Sequence, residues 1–294
     1  MTAVAFIGLG IMGAPMAENL VRAGFDVIGF SRSAEPRERL AAAGGRAAAS
    51  AREAATDADV VITMLPDGPD VESVLFGDGV IEAARPGTLL LDMSTISPLT
   101  ARAIASRAGA AGLRMLDAPV SGGQQGAVDA ALSIMVGGDE ADFADALPVL
   151  SALGSTVVRV GPIGSGQQVK AANQLIVAGT IELVAEALTL LDAEAVDLTE
   201  AVRVLAGGLA GNRILDRKAS GMIAHRFDPG FRVDLHHKDL GIVMESARAA
   251  GVILPVGSLV AQLMGSLRAR GHGGLDHTAL LLGVEALSGR DGRA

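Results

Sequence analysis

Val4-Ala5-Phe6-Ile7-Gly8-Leu9-Gly10-Ile11-Met12-Gly13 decides how the chain begins to fold. Its first four residues are all apolar, the run expected of a strand buried on both faces. Three glycines follow at G-x-G-x-x-G spacing, and Ala14 to Ala23 then reads as a helix. Strand, glycine turn and helix in that order form a cradle for a dinucleotide. Gly8 permits the tight turn, Gly10 lets the backbone approach a pyrophosphate, and Gly13 lets helix and strand pack closely. Leu9, Ile11 and Met12 complete the turn and belong to the same cofactor-binding segment. The helix start adds free N–H groups and a partial positive charge for the phosphates. The alternative reading is a tight strand–helix turn with no ligand.

Val27-Ile28-Gly29-Phe30 reads as the second strand. An acid about 20 residues beyond the glycines would bond the ribose 2′-OH of NAD. Ser31-Arg32-Ser33 stands there instead. Arg32 attracts a 2′-phosphate and can stack on adenine, and the two serine hydroxyls are donors. The reading favours NADP(H), with NAD(H) as the alternative and a merely solvated Arg32 as the bland one.

The alternation continues. Apolar runs at Val60-Val61-Ile62-Thr63-Met64, Leu89-Leu90-Leu91-Asp92, Arg114-Met115-Leu116-Asp117, Ser133-Ile134-Met135-Val136 and Val157-Val158-Arg159-Val160 are separated by helical stretches and punctuated by Pro66, Pro98 and Pro119. Such strands imply a mainly parallel sheet covered on both faces. After Gly161-Pro162-Ile163-Gly164-Ser165-Gly166 the strand signals stop, and Gln167 to about Ala193 reads as one long helix. The expected organisation is an α/β Rossmann-type doubly wound domain over 1–163, then an all-α domain over 164–294 joined by the long interdomain helix. Ser288 to Ala294 is expected to fray.

Composition narrows the chemistry. The 294 residues are 50% hydrophobic and 2% aromatic, all seven aromatics being Phe, with no Tyr, Trp or Cys. A Cys nucleophile, a disulfide, a thiolate zinc site and a Tyr acid are excluded. The net charge of −9 and the scarcity of stacking rings oppose a nucleic-acid partner. Leu175 to Leu191 is the longest apolar run, but Glu182 and Glu186 within it favour a buried helix over a membrane span. The chain passes from Met1-Thr2 into an apolar strand with no basic leader, so a cytoplasmic protein is expected.

Four blocks together resemble the β-hydroxyacid dehydrogenase family. They are Gly8 to Leu20, Asp92-Met93-Ser94-Thr95, Asp117-Ala118-Pro119-Val120-Ser121-Gly122-Gly123, and Gly164-x-Gly166-x-x-x-Lys170-x-x-Asn173. The C-terminal blocks Gly207 to Gly211 and Gly230 to Leu240 most resemble the branch that reduces 2-hydroxy-3-oxopropionate (tartronate semialdehyde) to glycerate. Branches acting on 3-hydroxyisobutyrate, glyoxylate or succinic semialdehyde are the near alternatives. A catalytically inactive dinucleotide-binding interaction module is the alternative of another class. The resemblance implies hydride transfer between nicotinamide and a short semialdehyde or hydroxy acid, in a homodimer or homotetramer. It implies Lys170 as the catalytic residue, Ser121-Gly122-Gly123 as the substrate-carboxylate loop and Asn173 as a substrate contact. It implies cofactor contacts from Met64, Leu65, Pro66, Thr95 and Lys238.

The residue types suit those roles. Negative charge grows on the carbonyl oxygen as hydride reaches carbon, and an ammonium can both stabilise it and supply the proton. The apolar or small neighbours Val169, Ala171 and Ala172 oppose reading Lys170 as a solvated surface charge. Two glycines beside Ser121 suit a carboxylate, although an ordinary turn has the same look. Thr95 can position nicotinamide or substrate, or cap the helix starting near Pro98. Phe231 walls the substrate pocket or simply fills the core, and Asp239 is a substrate-site residue that also holds Lys238. Arg232 and Asn212 are candidates for reading the extra hydroxyl of the substrate. His236 and His237 point about 100° apart on a helix, so one lines the site as a second proton donor or both are structural. No metal is expected. Ala130-Ala131-Leu132 departs from the Gly-Thr-Leu of many relatives, which reads as a packing change.

Overall fold

The computed structural model describes residues 2–290. Among the described residues nine strands form one sheet: β1 (Ala3–Ile7), β2 (Asp26–Phe30), β3 (Arg46–Ala47), β4 (Val60–Thr63), β5 (Leu89–Asp92), β6 (Arg114–Asp117), β7 (Val120–Ser121), β8 (Leu132–Gly137) and β9 (Gly154–Gly161). Their order is β3-β2-β1-β4-β5-β6-β8-β7, with β9 paired to β8. The chain therefore reverses direction across the sheet between β1 and β4, where a doubly wound fold opens its ligand crevice.

Register explains the near-continuous apolar strands. Ala5 lies beside Ile28 and Val61, Val61 beside Leu90, and Leu90 beside Met115. All five feed one core, which also takes Ala54, Val71 and Ile104 from the covering helices. The alternate residues Val4, Phe6, Ile62, Leu91 and Leu116 feed the opposite core with Met16 and Leu20. A pleated strand sends successive side chains to opposite faces, so a sheet covered on both sides needs apolar residues at both.

The strands β1 to β6 pair in parallel, as the sequence implies. Two details differ from the expectation. The two-residue strands β3 and β7 carry no sequence signal of their own. β8 runs antiparallel to β6 and β7. The connection Gly122–Ala131 is shorter than the dozen or so residues that a parallel crossover takes.

The chain divides into two compact units, one ending at Lys170 and the other starting at Ala171. The division falls inside the long helix Ser165–Ala193. The second unit contains the helices Leu198–Gly207, Arg213–Ile223, Val233–Ala250, Pro255–Leu267 and Leu280–Leu287. Its core gathers Ala178, Ile181, Ala185 and Leu188 of the long helix with Leu215, Met222, Leu240, Val243, Met264 and Leu280. The long helix is apolar enough to cross a membrane by length and composition, yet its core-facing side chains are buried within this unit.

Ser288 to Arg290 are ordered rather than frayed. Ser288 N and Arg290 N bond back to the carbonyls of Val284 and Glu285, and the Arg290 guanidinium meets Asp192 at 2.8 Å. The rest of that stretch lies outside the described residues.

Candidate active site

The glycine turn closes as a cradle. Gly8 takes φ +105, and a Cβ there would run into the Met64 carbonyl and the Leu65 side chain. A Cβ on Gly13 would run into the Gly8 carbonyl and the Phe6 ring. Around Gly10, by contrast, the space is open. Two glycines are thus consumed by packing and the third leaves its backbone open. Leu9 is buried, Met12 half-buried and Ile11 exposed. The helix Gly13–Arg22 begins at Met12 without a side-chain cap and without an acid in its first turn. That arrangement fits a pyrophosphate.

Ser31, Arg32 and Ser33 follow the end of β2, with Arg32 and Ser33 exposed. The sequence reading missed Arg37, whose guanidinium bonds the carbonyls of Ser33 and Ala48 at 3.3 Å. It brings a second positive charge to this strand end.

Lys170 lies in the first turns of the helix Ser165–Ala193. Its side chain is only 7% exposed, and Nζ donates to the Val120 carbonyl at 2.7 Å. That places the ammonium beside Ser121-Gly122-Gly123. Gly122 and Gly123 take φ +142 and +65, a turn that residues with side chains rarely adopt.

A buried polar scaffold supports these groups, and sequence reasoning did not assign it. Asp117 Oδ1 and Oδ2 accept from Gly164 N and Gln167 N at 2.6 and 2.8 Å. The carboxyl thereby satisfies N–H groups at the start of the helix that carries Lys170. A Cβ at Gly166 would collide with Asp117 and the Met135 carbonyl, so the glycine spacing serves this approach. Gln167 reaches across to the loop after β5, accepting from Ile96 N at 3.1 Å and donating to the Ser94 carbonyl at 2.8 Å. Ser94 Oγ accepts from Leu65 N at 2.9 Å, which ties in Met64-Leu65-Pro66. Asp92 accepts from Thr63 Oγ1 and Ser94 N at 2.8 and 3.1 Å. Burial outweighs those bonds and pushes its carboxyl up to about 6. Burial also raises Asp117 above the ordinary carboxylate value. Thr95 sits half-buried between these anchors. It is not the helix cap: Ser97 Oγ accepts from Leu99 N at 3.2 Å.

In the second unit, Asn173 lies one turn beyond Lys170 along the same helix. Its Nδ2 donates to Gln174 Oε1 at 2.8 Å, and Gln174 Nε2 donates to Asp239 Oδ2 at 2.5 Å. Lys238 Nζ stands 3.1 Å from Asp239 Oδ1. Asn173, Lys238 and Asp239 are therefore joined through Gln174. Phe231 packs edge-on against His236 and His277, and His236 is buried rather than presented as a proton donor. Asn212 is occupied as a helix cap, accepting from Ile214 N and Leu215 N while donating to the Ala210 carbonyl. Arg232 is exposed. Among the described residues no group of three or more His, Asp or Glu gathers at metal-binding distance.

Residues 3–161 match the family described as the NAD binding domain of 6-phosphogluconate dehydrogenase, and residues 164–283 match the NAD-binding domain of NADP-dependent 3-hydroxyisobutyrate dehydrogenase. The chain belongs to the β-hydroxyacid dehydrogenases of the 3-hydroxyisobutyrate dehydrogenase type. A 2-hydroxy-3-oxopropionate reductase of Escherichia coli (strain K12) is 41% identical over 96% of this chain and 97% of its own length. An NAD-dependent L-serine dehydrogenase of Pseudomonas aeruginosa is 38% identical over 95% and 97%. The solved Mycobacterium tuberculosis 3-hydroxyisobutyrate dehydrogenase with L-serine is 39% identical, with a TM-score of 0.85 over 96% of this chain and 98% of that one. This β-hydroxyacid dehydrogenase is therefore an oxidoreductase with NAD(P)-binding domains. Its relatives differ in the acid they are named for.

Proposed function

We propose that this β-hydroxyacid dehydrogenase reduces 2-hydroxy-3-oxopropionate to glycerate with NADPH. The observation that carries the catalytic part is the Lys170 ammonium, buried and held 2.7 Å from the Val120 carbonyl beside Ser121-Gly122-Gly123. The substrate assignment is supported by the C-terminal blocks around Gly207 and Gly230 and by the likeness to the E. coli reductase. The preference for NADPH over NADH is supported by Arg32, by the nearby Arg37, and by serines in place of an acid after β2.

When bound, the reduced nicotinamide supplies the hydride that the carbonyl carbon accepts. Ser121, Gly122 and Gly123 bind the substrate carboxylate and turn the carbonyl oxygen toward Lys170. Charge then grows on that oxygen. The Lys170 ammonium stabilises it and transfers one proton, leaving a neutral amine that solvent reprotonates and an alcohol as product. Val120 fixes the ammonium through its carbonyl, so little reorganisation accompanies the step. Asn173 contacts the substrate, Phe231 and Asp239 bound its site, and Thr95, Lys238 and Met64-Leu65-Pro66 contact the cofactor.

The exposed side chains Val169, Ile176, Leu183 and Leu190 recur every seven residues along the long helix, the last three 67%, 62% and 66% exposed. This stripe supports a homodimer or homotetramer. A cytoplasmic setting completes the proposal.

Lys170→Ala tests the assignment. Turnover is expected to fall by about 10³-fold or more, while NADPH affinity, followed through the dinucleotide's own fluorescence, stays near wild type. Turnover close to wild type overturns Lys170 as the acid.

A further inference from the structure

His236 and His277 are separated by 41 residues, and no spacing in the sequence joins them. The structure buries both, at 0% and 6% exposure, with the two Nδ1 atoms 3.0 Å apart. His236 Nε2 lies 3.1 Å from the Gln174 carbonyl. A carbonyl only accepts, so this nitrogen carries the proton. In a neutral ring its Nδ1 is then the acceptor, and the proton between the rings belongs to His277.

The far end of His277 faces a fixed anion. Its Nε2 lies 3.8 Å from Asp276 Oδ1. Asp276 also accepts from Lys218 Nζ at 2.9 Å, from Gly230 N and Phe231 N at 2.9 and 3.1 Å, and from Thr278 Oγ1 at 2.8 Å. Burial alone would raise this carboxyl, but the neighbouring His277, the Lys218 ammonium and the N–H and O–H donors hold it below the ordinary carboxylate range. Asp276 is thus a carboxylate in the working pH range, and it favours the doubly protonated ring of His277. Phe231 closes over both rings at 5.6 and 5.5 Å between centroids.

At the opposite end the chain reaches Gln174. The same residue bonds Asn173 and Asp239 through its side chain, and Asp239 pairs with Lys238. We infer that Asp276, His277 and His236 form a positioning relay: an imidazolium at His277 locks His236 as the Nε2–H tautomer, which clamps the Gln174 peptide and so orients Asn173 and the Lys238–Asp239 pair. The role rests on the reading of Asn173 and Lys238 as substrate and cofactor contacts. The rings hold one charge between them, because a second proton on His236 Nδ1 would set two N–H groups face to face. The charged groups around the relay are Asp276 and Lys218 at one end and Asp239 and Lys238 at the other.

Two variants test it. His236→Met fills the space and removes donor and acceptor together. His236→Gln can still donate to the Gln174 carbonyl and accept from His277. Solution NMR of the wild type around neutral pH is expected to show one ring protonated only at Nε2 and assigned to His236, and one protonated at both nitrogens and assigned to His277. The Asn173 side-chain amide resonances are expected to shift in His236→Met and to return in His236→Gln. With the semialdehyde acid, His236→Met is expected to raise KM and lower kcat/KM by roughly 10- to 100-fold, and His236→Gln to recover most of it. Two neutral rings, or an Asn173 amide unmoved in a folded His236→Met, overturn the relay. If no carbonyl acid is turned over by the wild type, the functional reading fails, and the ring and amide signals still decide the relay by themselves.

Discussion

Asp117 in the sheet-bearing unit and Glu182 in the helical unit are both buried carboxylates, and their surroundings differ in kind. Asp117 has the N–H groups of Gly164 and Gln167 on its two oxygens. Glu182 Oε2 has no hydrogen-bond partner among the described residues. Burial, and then the charge of Glu186, pushes Glu182 up to about 7. It lies mid-helix against a cavity of about 150 Å³ lined by Leu263, Leu267, Arg270, Leu280 and Leu287. The first turn of a helix has orphan N–H groups to offer an anion, whereas its interior has none. Strand ends that deliver helix starts therefore accept buried acids readily. A long helix that must cross a core raises the acid it carries there toward neutrality.

That contrast can be broken by substitution. Asp117→Asn keeps the shape but turns an amide N–H₂ toward backbone donors. It is expected to cost about 2 kcal/mol in urea unfolding and to lower kcat as the start of the Lys170 helix loosens; an unchanged midpoint would refute the anchoring role. The end of β2 carries Arg32 and Arg37. Arg32→Ser is expected to raise KM for NADPH about tenfold with little change for NADH, and equal effects on both would remove Arg32 from 2′-phosphate binding. Ala130 sits at φ +53, so this departure from the relatives' glycine is a backbone matter rather than one of packing. Ala130→Gly is expected to stabilise by about 1 kcal/mol, read from the denaturation midpoint.

The smallest effect concerns Glu182. A raised acid binds its proton more tightly when folded, so its contribution is complete below its ordinary value of 4.5 and is lost as pH rises through about 7. Glu182→Gln is expected to raise Tm by about 2 °C above neutrality and to leave it unchanged in acid. A gain that persists in acid would show that charge is not its cause.

The parallel sheet was readable because strands buried on both faces must be apolar at every position, as Val60-Val61-Ile62 are. The glycine cradle was readable because Gly8 and Gly13 leave no room for a Cβ. Lys170 could be singled out through its block, but its partner could not: the bond to the Val120 carbonyl spans 50 residues. Gln167, Asp276 and His277 escaped for the same reason, since their roles come from contacts across the fold. Thr95 and Asn212 show the converse. Capping chemistry is local, yet Ser97 rather than Thr95 supplies it, and Asn212 is consumed by it.

The most direct test of the central claim is kcat/KM for 2-hydroxy-3-oxopropionate, 3-hydroxyisobutyrate, L-serine, glyoxylate and succinic semialdehyde, each in its reacting direction and with both the phosphorylated and unphosphorylated dinucleotide. The highest value is expected for 2-hydroxy-3-oxopropionate with NADPH. A higher value for another acid, or for NADH, would contradict it.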